Sequence, residues 1–382
     1  MSDTLPTPSA DPALAGGRLT IDLAALADNW RTLAARAGRA ATAAAVKGDA
    51  YGIGIGPAAE ALAEAGCHTF FVALPEEGLR VREAVHDAAI YVLNGLMPGT
   101  AATYAAADLR PVLGSWPEIE EWSAFRAAGG VTGAALHVDT GMNRLGLAPA
   151  EARKLVERRD LAAGLGLTLV MSHLAAADTP EHALNRKQLT AFRAVRSLFP
   201  DLPASLANSA GIFLGADYHF DLVRPGIALY GAAPGDAIGP LRPVVTLEGR
   251  ILMIREVKRG DAVGYGAAET VSEPKRVAVI GLGYADGYHR RAGSSDRRRG
   301  ARARLHGQDA PLIGRVSMDL VALDVTDIPG ARRGDWVELF GPNIPVEEVA
   351  ERAETIGYEL LTGLGRRYAR RYVLNGSTNI DT

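Results

Sequence analysis

The chain has 382 residues, enough for two domains with separate cores, and its 48% hydrophobic and 22% charged content excludes a disordered or fibrous protein. A formal net charge of −3 gives no electrostatic basis for nucleic acid or an anionic membrane as partner. The single cysteine, Cys67, rules out an intrachain disulfide and fits a reducing, cytoplasmic setting.

The first 17 residues are small and contain proline, without the basic and apolar regions of a secretory signal, and are expected to form a flexible tail. No run of 18 uninterrupted apolar residues predicts a membrane span. From residue 18 to 243, short apolar runs alternate with helical patterns. The runs are 41–46, 69–74, 90–93, 109–113, 134–138, 167–171 and 204–207, with a last one near Leu222. Helices are expected at 57–65, 75–85, 117–127, 149–157 and 181–198, the first four opening on proline, whose missing N–H is tolerated in a first turn. About eight β-α units in ~220 residues predict a (β/α)8 barrel, with an open doubly wound sheet as the alternative. From 244 to 382 the texture changes to β-rich runs at 244–257, 277–283, 301–306, 310–316, 320–325 and 336–340, with one helical stretch at 345–356. This predicts a mostly-β second domain. The basic run from Arg290 to Arg304 is expected to be a solvated loop, since no aromatics interleave it.

Chemistry-bearing residues fall where strands are expected to end, the face on which barrels build active sites. Lys47 leaves the first long run ahead of Gly48-Asp49-Ala50-Tyr51-Gly52, where desolvation would free its amine for Schiff-base chemistry. The glycines do not make a dinucleotide fingerprint, because Pro57 stands at the last position. Arg224-Pro225-Gly226-Ile227 follows the last strand, where barrels often hold phosphate. Asp139 to Arg144, Ser172-His173 and Asn208-Ser209 follow three others. Taken singly, each reads equally as a turn, a cap or a satisfied polar group. Together they supply the convergent polar groups that a site needs. In the second domain, Gly264-Tyr265-Gly266, Gly283-Tyr284-Ala285-Asp286 and Ser317-Met318-Asp319 stand out as glycine- or aspartate-flanked segments.

In this order the segments resemble those of the alanine racemase family over nearly the whole chain after the tail. Val-Lys-Gly-Asp-Ala-Tyr-Gly is similar to its cofactor-lysine signature. Asp-Thr-Gly-Met-Asn-Arg-Leu-Gly, Val-Arg-Pro-Gly-Ile-Ala-Leu-Tyr-Gly and Gly-Tyr-Ala-Asp-Gly-Tyr are similar to three further segments. The resemblance implies a barrel followed by a β domain, pyridoxal 5'-phosphate as cofactor, a small amino acid as substrate, and a homodimer whose active sites are shared between subunits. It implies no metal.

Carried over by position, Lys47 holds the cofactor and acts as one of two bases. Tyr265 of the partner chain acts as the other, and Arg224 faces the pyridine nitrogen with His173 nearby. Tyr51, Ser209, Gly226 and Ile227 match phosphate-binding positions, Arg144 and Met318 substrate-carboxylate contacts, and Tyr284 the substrate entrance. Many members carry lysine where this chain has His137, and some have cysteine where it has Ser317. A phosphate-binding tyrosine near the C-terminus has Arg366 at its place, two residues before Tyr368. The function implied is interconversion of L- and D-alanine. The alternatives are a racemase accepting serine or larger side chains, and a pyridoxal-phosphate carrier of similar barrel, which would lack the second domain.

Overall fold

The computed structural model describes residues 13–232, 241–374 and 378–380. The described chain divides into two compact units, one spanning Leu26–Leu229, the other combining residues through Ala25 with Tyr230–Ala232 and Arg242 onward.

The first unit is a parallel barrel. Seven strands lie in sequence order: Ala44–Ala45, Thr69–Val72, Ala89–Val92, Leu109–Leu113, Ala134–His137, Leu167–Met171 and Ala204–Ser205. The eighth, Leu222–Val223, pairs in parallel with Ala41–Thr42. Its other edge is tied to the seventh by Asp221 N–H to Ala204 O (3.0 Å) and Arg224 N–H to Ala207 O (2.9 Å), which closes the ring. The interior is filled with side chains, among them Ala45, Phe71, Tyr91, Val112, Leu169 and Met171. Phe71 and Tyr91 stack with ring centroids 5.1 Å apart. A plugged interior leaves only the strand ends open for a site.

The expected helices appear as Ile55–Glu64, Pro75–Ala84, Trp116–Ala127, Pro149–Glu157 and Ala183–Leu198. Leu23–Ala37, Ala101–Ala106, Arg159–Gly164 and Ser209–Phe213 are additional. Leu23–Ala37 has neither an acidic first turn nor an initial proline; its one local start signal is Asp22, whose side chain accepts from Ala25 N–H (2.8 Å).

The second unit is built on a nine-stranded sheet. Its long strand Val245–Val257 pairs through its first half with Trp336–Phe340 and through its second with Lys275–Ile280, the register shifting between Ile251 and Met253. Strand Gly17–Asp22 also joins this sheet, antiparallel to Val245–Val257 and parallel to Ala369–Leu374. The sequence places the start of the barrel domain at residue 18, but this strand is part of the second unit. Its alternating burial, with Leu19 and Ile21 fully inside, gives one apolar face to pack. Of the expected tail, residues 1–12 lie outside the described residues. Gly17 is packed: a Cβ there would meet the Tyr368 ring at 2.7 Å.

The expected helix at 345–356 appears as Val346–Arg352, followed by Gly357–Thr362. Several arginines of the basic run are tied down rather than free in solvent. Arg291 pairs with Glu354, Arg302 forks onto Glu348 at 2.7 Å, and Arg298 donates to backbone carbonyls.

Candidate active site

Eight of the residues singled out in the sequence lie in the barrel unit, at or just beyond strand C-terminal ends: Lys47, Tyr51, Arg144, His173, Ser209, Arg224, Gly226 and Ile227. Tyr265, Tyr284 and Met318 lie in the second unit.

Lys47 begins a turn of opposite hand to an ordinary helix. Gly48, Asp49, Ala50 and Tyr51 all have φ between +53° and +65°. Such a conformation costs about 1–2 kcal/mol for each non-glycine residue and persists only where surrounding contacts over-determine it. Those contacts are present. Gly48 N–H donates to Glu77 Oε1 (2.6 Å), Ala50 N–H to Val46 O (2.8 Å), and Asp49 accepts from Ile55 N–H (3.1 Å) and pairs with Arg80 (2.6 Å). The half-buried amine of Lys47 has no hydrogen bond or ion pair among the described residues. Desolvation first, then the Arg144 charge, lowers its pKa, against an upward pull from Glu77.

Arg224 is only 5% exposed and has no carboxylate partner among the described residues. It donates to Ser205 Oγ, to Ser172 O (2.6 Å) and at longer range to Leu206 O (3.4 Å), with His173 Nδ1 also 3.4 Å away. Burial brings its pKa down to about 9, which still leaves it charged at neutral pH. His173 is held neutral, its pKa well below the usual imidazole value through desolvation and then the charges of Arg224, Arg144 and Lys47.

Beside Arg224, Ser209 Oγ accepts from Gly226 N–H (2.8 Å) and Ala228 N–H (3.3 Å), and Asn208 caps the following short helix through Gly211 N–H (2.9 Å). A Cβ on Gly226 would come within 2.3 Å of the Tyr51 hydroxyl, so Tyr51, Ser209 and the Gly226–Ile227 backbone share a tight cradle.

Arg144 is exposed at the mouth of a cavity of about 410 Å³ that also reaches Asn94, Glu118 and His137. Its loop is shaped by Asp139, whose carboxylate accepts from the Gly141, Met142 and Asn143 amides, each at 2.8 Å. The guanidinium has no hydrogen bond or ion pair among the described residues. Buried His137 is neutral, its pKa brought down to about 4 by desolvation and then Arg224, so it adds no like charge beside Arg144, and an imidazole has no anionic form to pair with it.

In the second unit, Tyr265 is 71% exposed at the tip of the hairpin joining Ala262–Val263 to Glu269–Thr270. Tyr284 and Met318 sit side by side through Tyr284 N–H to Ser317 O (3.0 Å) and Ala285 N–H to Met318 O (2.9 Å). Near the C-terminus, Arg366 is exposed, whereas Tyr368 is buried with its hydroxyl unpartnered among the described residues.

Two groups of this site escape motif reading. Glu77 binds the Gly48, Ala73 and Leu74 amides, and its one local signal is its third position in a helix opened by Pro75. Fully buried Gln188 links Thr140 Oγ1 (3.3 Å), His173 O (2.8 Å) and Ala175 N–H (2.9 Å), and nothing local marks it.

Comparison with known proteins agrees across both units. The family model "Alanine racemase, N-terminal domain" matches residues 21–234, and "Alanine racemase, C-terminal domain" matches residues 244–372. Alanine racemase of Rhizobium meliloti is 50% identical over 368 residues, covering 94% of this chain and 97% of the relative. That of Methylobacterium nodulans is 53% identical over 366 residues, covering 95% and 97%. Among solved structures, alanine racemase from Bartonella henselae with covalently bound pyridoxal phosphate superposes with a TM-score of 0.88 at 40% identity. It covers 94% of this chain and all of that one. The chain belongs to the alanine racemase family.

Proposed function

We propose that this chain interconverts L- and D-alanine with pyridoxal 5'-phosphate as cofactor, Lys47 and Tyr265 serving as the two bases. The activity and the cofactor are those of the family it matches at 50–53% identity over nearly its whole length. The roles of the barrel residues are supported by buried Arg224 beside His173 (3.4 Å) and by the Tyr51–Ser209–Gly226 cradle, and that of Tyr265 by its matching position in the family.

The donor set suits the cofactor. A buried guanidinium without a counter-ion, a serine hydroxyl and backbone amides around a glycine cradle match an aromatic nitrogen at one end and a phosphate at the other. Lys47 would hold it through the ε-amine, Arg224 would donate to the ring nitrogen, and Tyr51, Ser209, Gly226 and Ile227 would bind the phosphate. Bound pyridoxal phosphate supplies an electron-withdrawing ring system that acidifies the substrate Cα–H.

The chain's own groups then hold and move the proton. Racemisation requires a base on each face of Cα, each acting as acid in the reverse direction. Lys47, its pKa lowered by desolvation and the Arg144 charge, takes or returns the proton at its Nζ on one face. Tyr265 does so at its hydroxyl on the other. Arg144, with no competing partner, and the Met318 amide receive the substrate carboxylate. Arg224, remaining protonated, would donate to the ring nitrogen and so leave it largely unprotonated. Held so, the ring would withdraw electrons less strongly, which would favour return of the proton to Cα.

Tyr265, Tyr284 and Met318 stand 71%, 41% and 53% exposed in the single chain, and this supports a homodimer in which they complete the partner's site. The buried, reduced Cys67 supports a cytoplasmic location. Among the described residues no helix is long and apolar enough to cross a membrane.

The test is loss of optical purity from L-alanine, L-serine and L-lysine with purified protein, alongside Lys47→Ala. Alanine should racemise fastest, and the variant should lose both that activity and the visible absorbance of bound cofactor. Retention of either by Lys47→Ala overturns the lysine assignment, and preference for lysine overturns the substrate.

A further inference from the structure

Asp286 is the most buried carboxylate of the second unit, 4% exposed, and no role falls to it in the reaction described above. One oxygen accepts from Gly283 N–H (2.9 Å). Both accept from the fork of Arg367, Nε at 2.6 Å and Nη2 at 2.8 Å. The remaining nitrogen of that guanidinium, Nη1, donates to Asp319 Oδ1 (2.8 Å), next in sequence to Met318. The backbone closes a ring around these ions. Ala285 N–H donates to Met318 O (2.9 Å), Tyr284 N–H to Ser317 O (3.0 Å), and Gly365 N–H to Asp286 O (2.9 Å). Gly283 lies so close to this loop that a Cβ would meet Ser317 O at 2.3 Å.

The ring leaves one donor pointing outward. The Met318 N–H has no hydrogen bond among the described residues, while the carbonyl of the same peptide, Ser317 O, is committed to Tyr284 N–H and that of the next peptide, Met318 O, to Ala285 N–H. With Ser317 O held on one side of Met318, and Met318 O and the Asp319 side chain held on the other, the direction of the N–H between them is restricted. On the other side of the triad lies a cavity of about 360 Å³, bordered by Leu14, Ala15, Gly281 and the three ionic side chains. On that side the loop's supports are the ionic clamp and the backbone hydrogen bonds named above, and of these only the clamp reaches it through side chains.

We propose that Arg367, gripped by Asp286 and Asp319, is a positioning residue that aims the Met318 amide at the substrate carboxylate and sets Tyr284 beside it. The proposal rests on the assignment of Met318 and Tyr284 to the substrate site. Because a carboxylate contact acts equally on bound substrate and transition state, its loss raises KM and leaves kcat little changed.

The test uses the cofactor-loaded enzyme and four variants: Arg367→Lys, Arg367→Met, Asp319→Asn and Arg144→Lys. Each is read by kcat and KM for alanine, by the cofactor's absorbance, and by the inhibition constant of propionate, which is alanine without its amino group. Arg367→Met should raise KM and the propionate constant together by about tenfold, the worth of one charge-assisted hydrogen bond, with cofactor absorbance unchanged. Arg367→Lys should recover part of this. Asp319→Asn, which spares the buried fork, should give a smaller rise in both. If Arg367→Met fails to fold, Asp319→Asn alone decides. Unchanged KM and propionate binding in these variants, or a fall in kcat without them, overturns the proposal. Should Arg144→Lys also leave both constants unmoved, the carboxylate-site assignment itself falls. A rise in Arg144→Lys alone defeats only the clamp.

Discussion

His137 stands where many members of the family carry lysine, and its ring packs within 3.1 Å of where a Cβ on Gly146 would sit. Burial and the Arg224 charge hold it neutral down to about pH 4, whereas in the unfolded chain it takes a proton near its ordinary value of 6.5. Between those values the unfolded state binds the proton that the folded state refuses. Stability therefore falls as pH drops from about 6.5 to about 4 and levels off below, by about 3 kcal/mol for this residue. His137→Gln should remove that part of the acid destabilisation. Urea midpoints of the wild-type and variant holoenzymes at pH 7 and pH 4.5 measure it. An identical acid loss in both would show that His137 is not refused its proton. The type of residue at 137 was plain in the sequence. Its neutrality was not, because Arg224 and Arg144 reach it only through the fold.

At the scale of elements, the left-handed turn after Lys47 and the loop from Arg224 to Ile227 meet at a glycine. A methyl group on Gly226 would lie 2.3 Å from the Tyr51 hydroxyl, inside any tolerable contact. Gly226→Ala should displace Tyr51 or the loop and weaken cofactor retention at least tenfold, a modest loss for a cradle that depends on close backbone approach. Absorbance after dialysis of the loaded variant gives the result, and wild-type retention would refute the cradle. Most barrel strands were legible, because buried parallel strands are short continuous apolar runs. The helices that were legible mostly open on proline, as at Pro75 and Pro149. Ser209–Phe213 was not, being five residues long and fixed mainly by the Asn208 cap. The turn at 48–51 could not be foreseen either. Glycine permits positive φ at residue 48, but Glu77, 29 residues away, is what draws the Gly48 amide into place.

For the whole molecule, the decisive question is where Tyr265 works. If it completes the partner's site, Lys47→Ala and Tyr265→Ala homodimers are both inactive. A mixed dimer then has one doubly defective site and one intact site. Co-refolding equal amounts should restore activity to about one quarter of all sites under random pairing in a two-fold dimer. If verified heterodimers stay inactive, Tyr265 acts within its own chain or is not the second base.

The sequence by itself determined the family, the barrel-plus-β architecture and the cofactor, and it pointed to Lys47 as the lysine that would hold it. Each is written in contiguous segments such as Val46–Gly52 and Val223–Gly231, and in runs whose period reports local geometry. Only tertiary structure decided that strand Gly17–Asp22 belongs to the second sheet, that Arg224 is buried with no carboxylate partner among the described residues, and that Arg367 grips Asp286 and Asp319. The physical reason is range. Strand pairing across more than 200 residues and an ion triad spanning about 80 depend on what the chain brings together, and no local pattern encodes the partner.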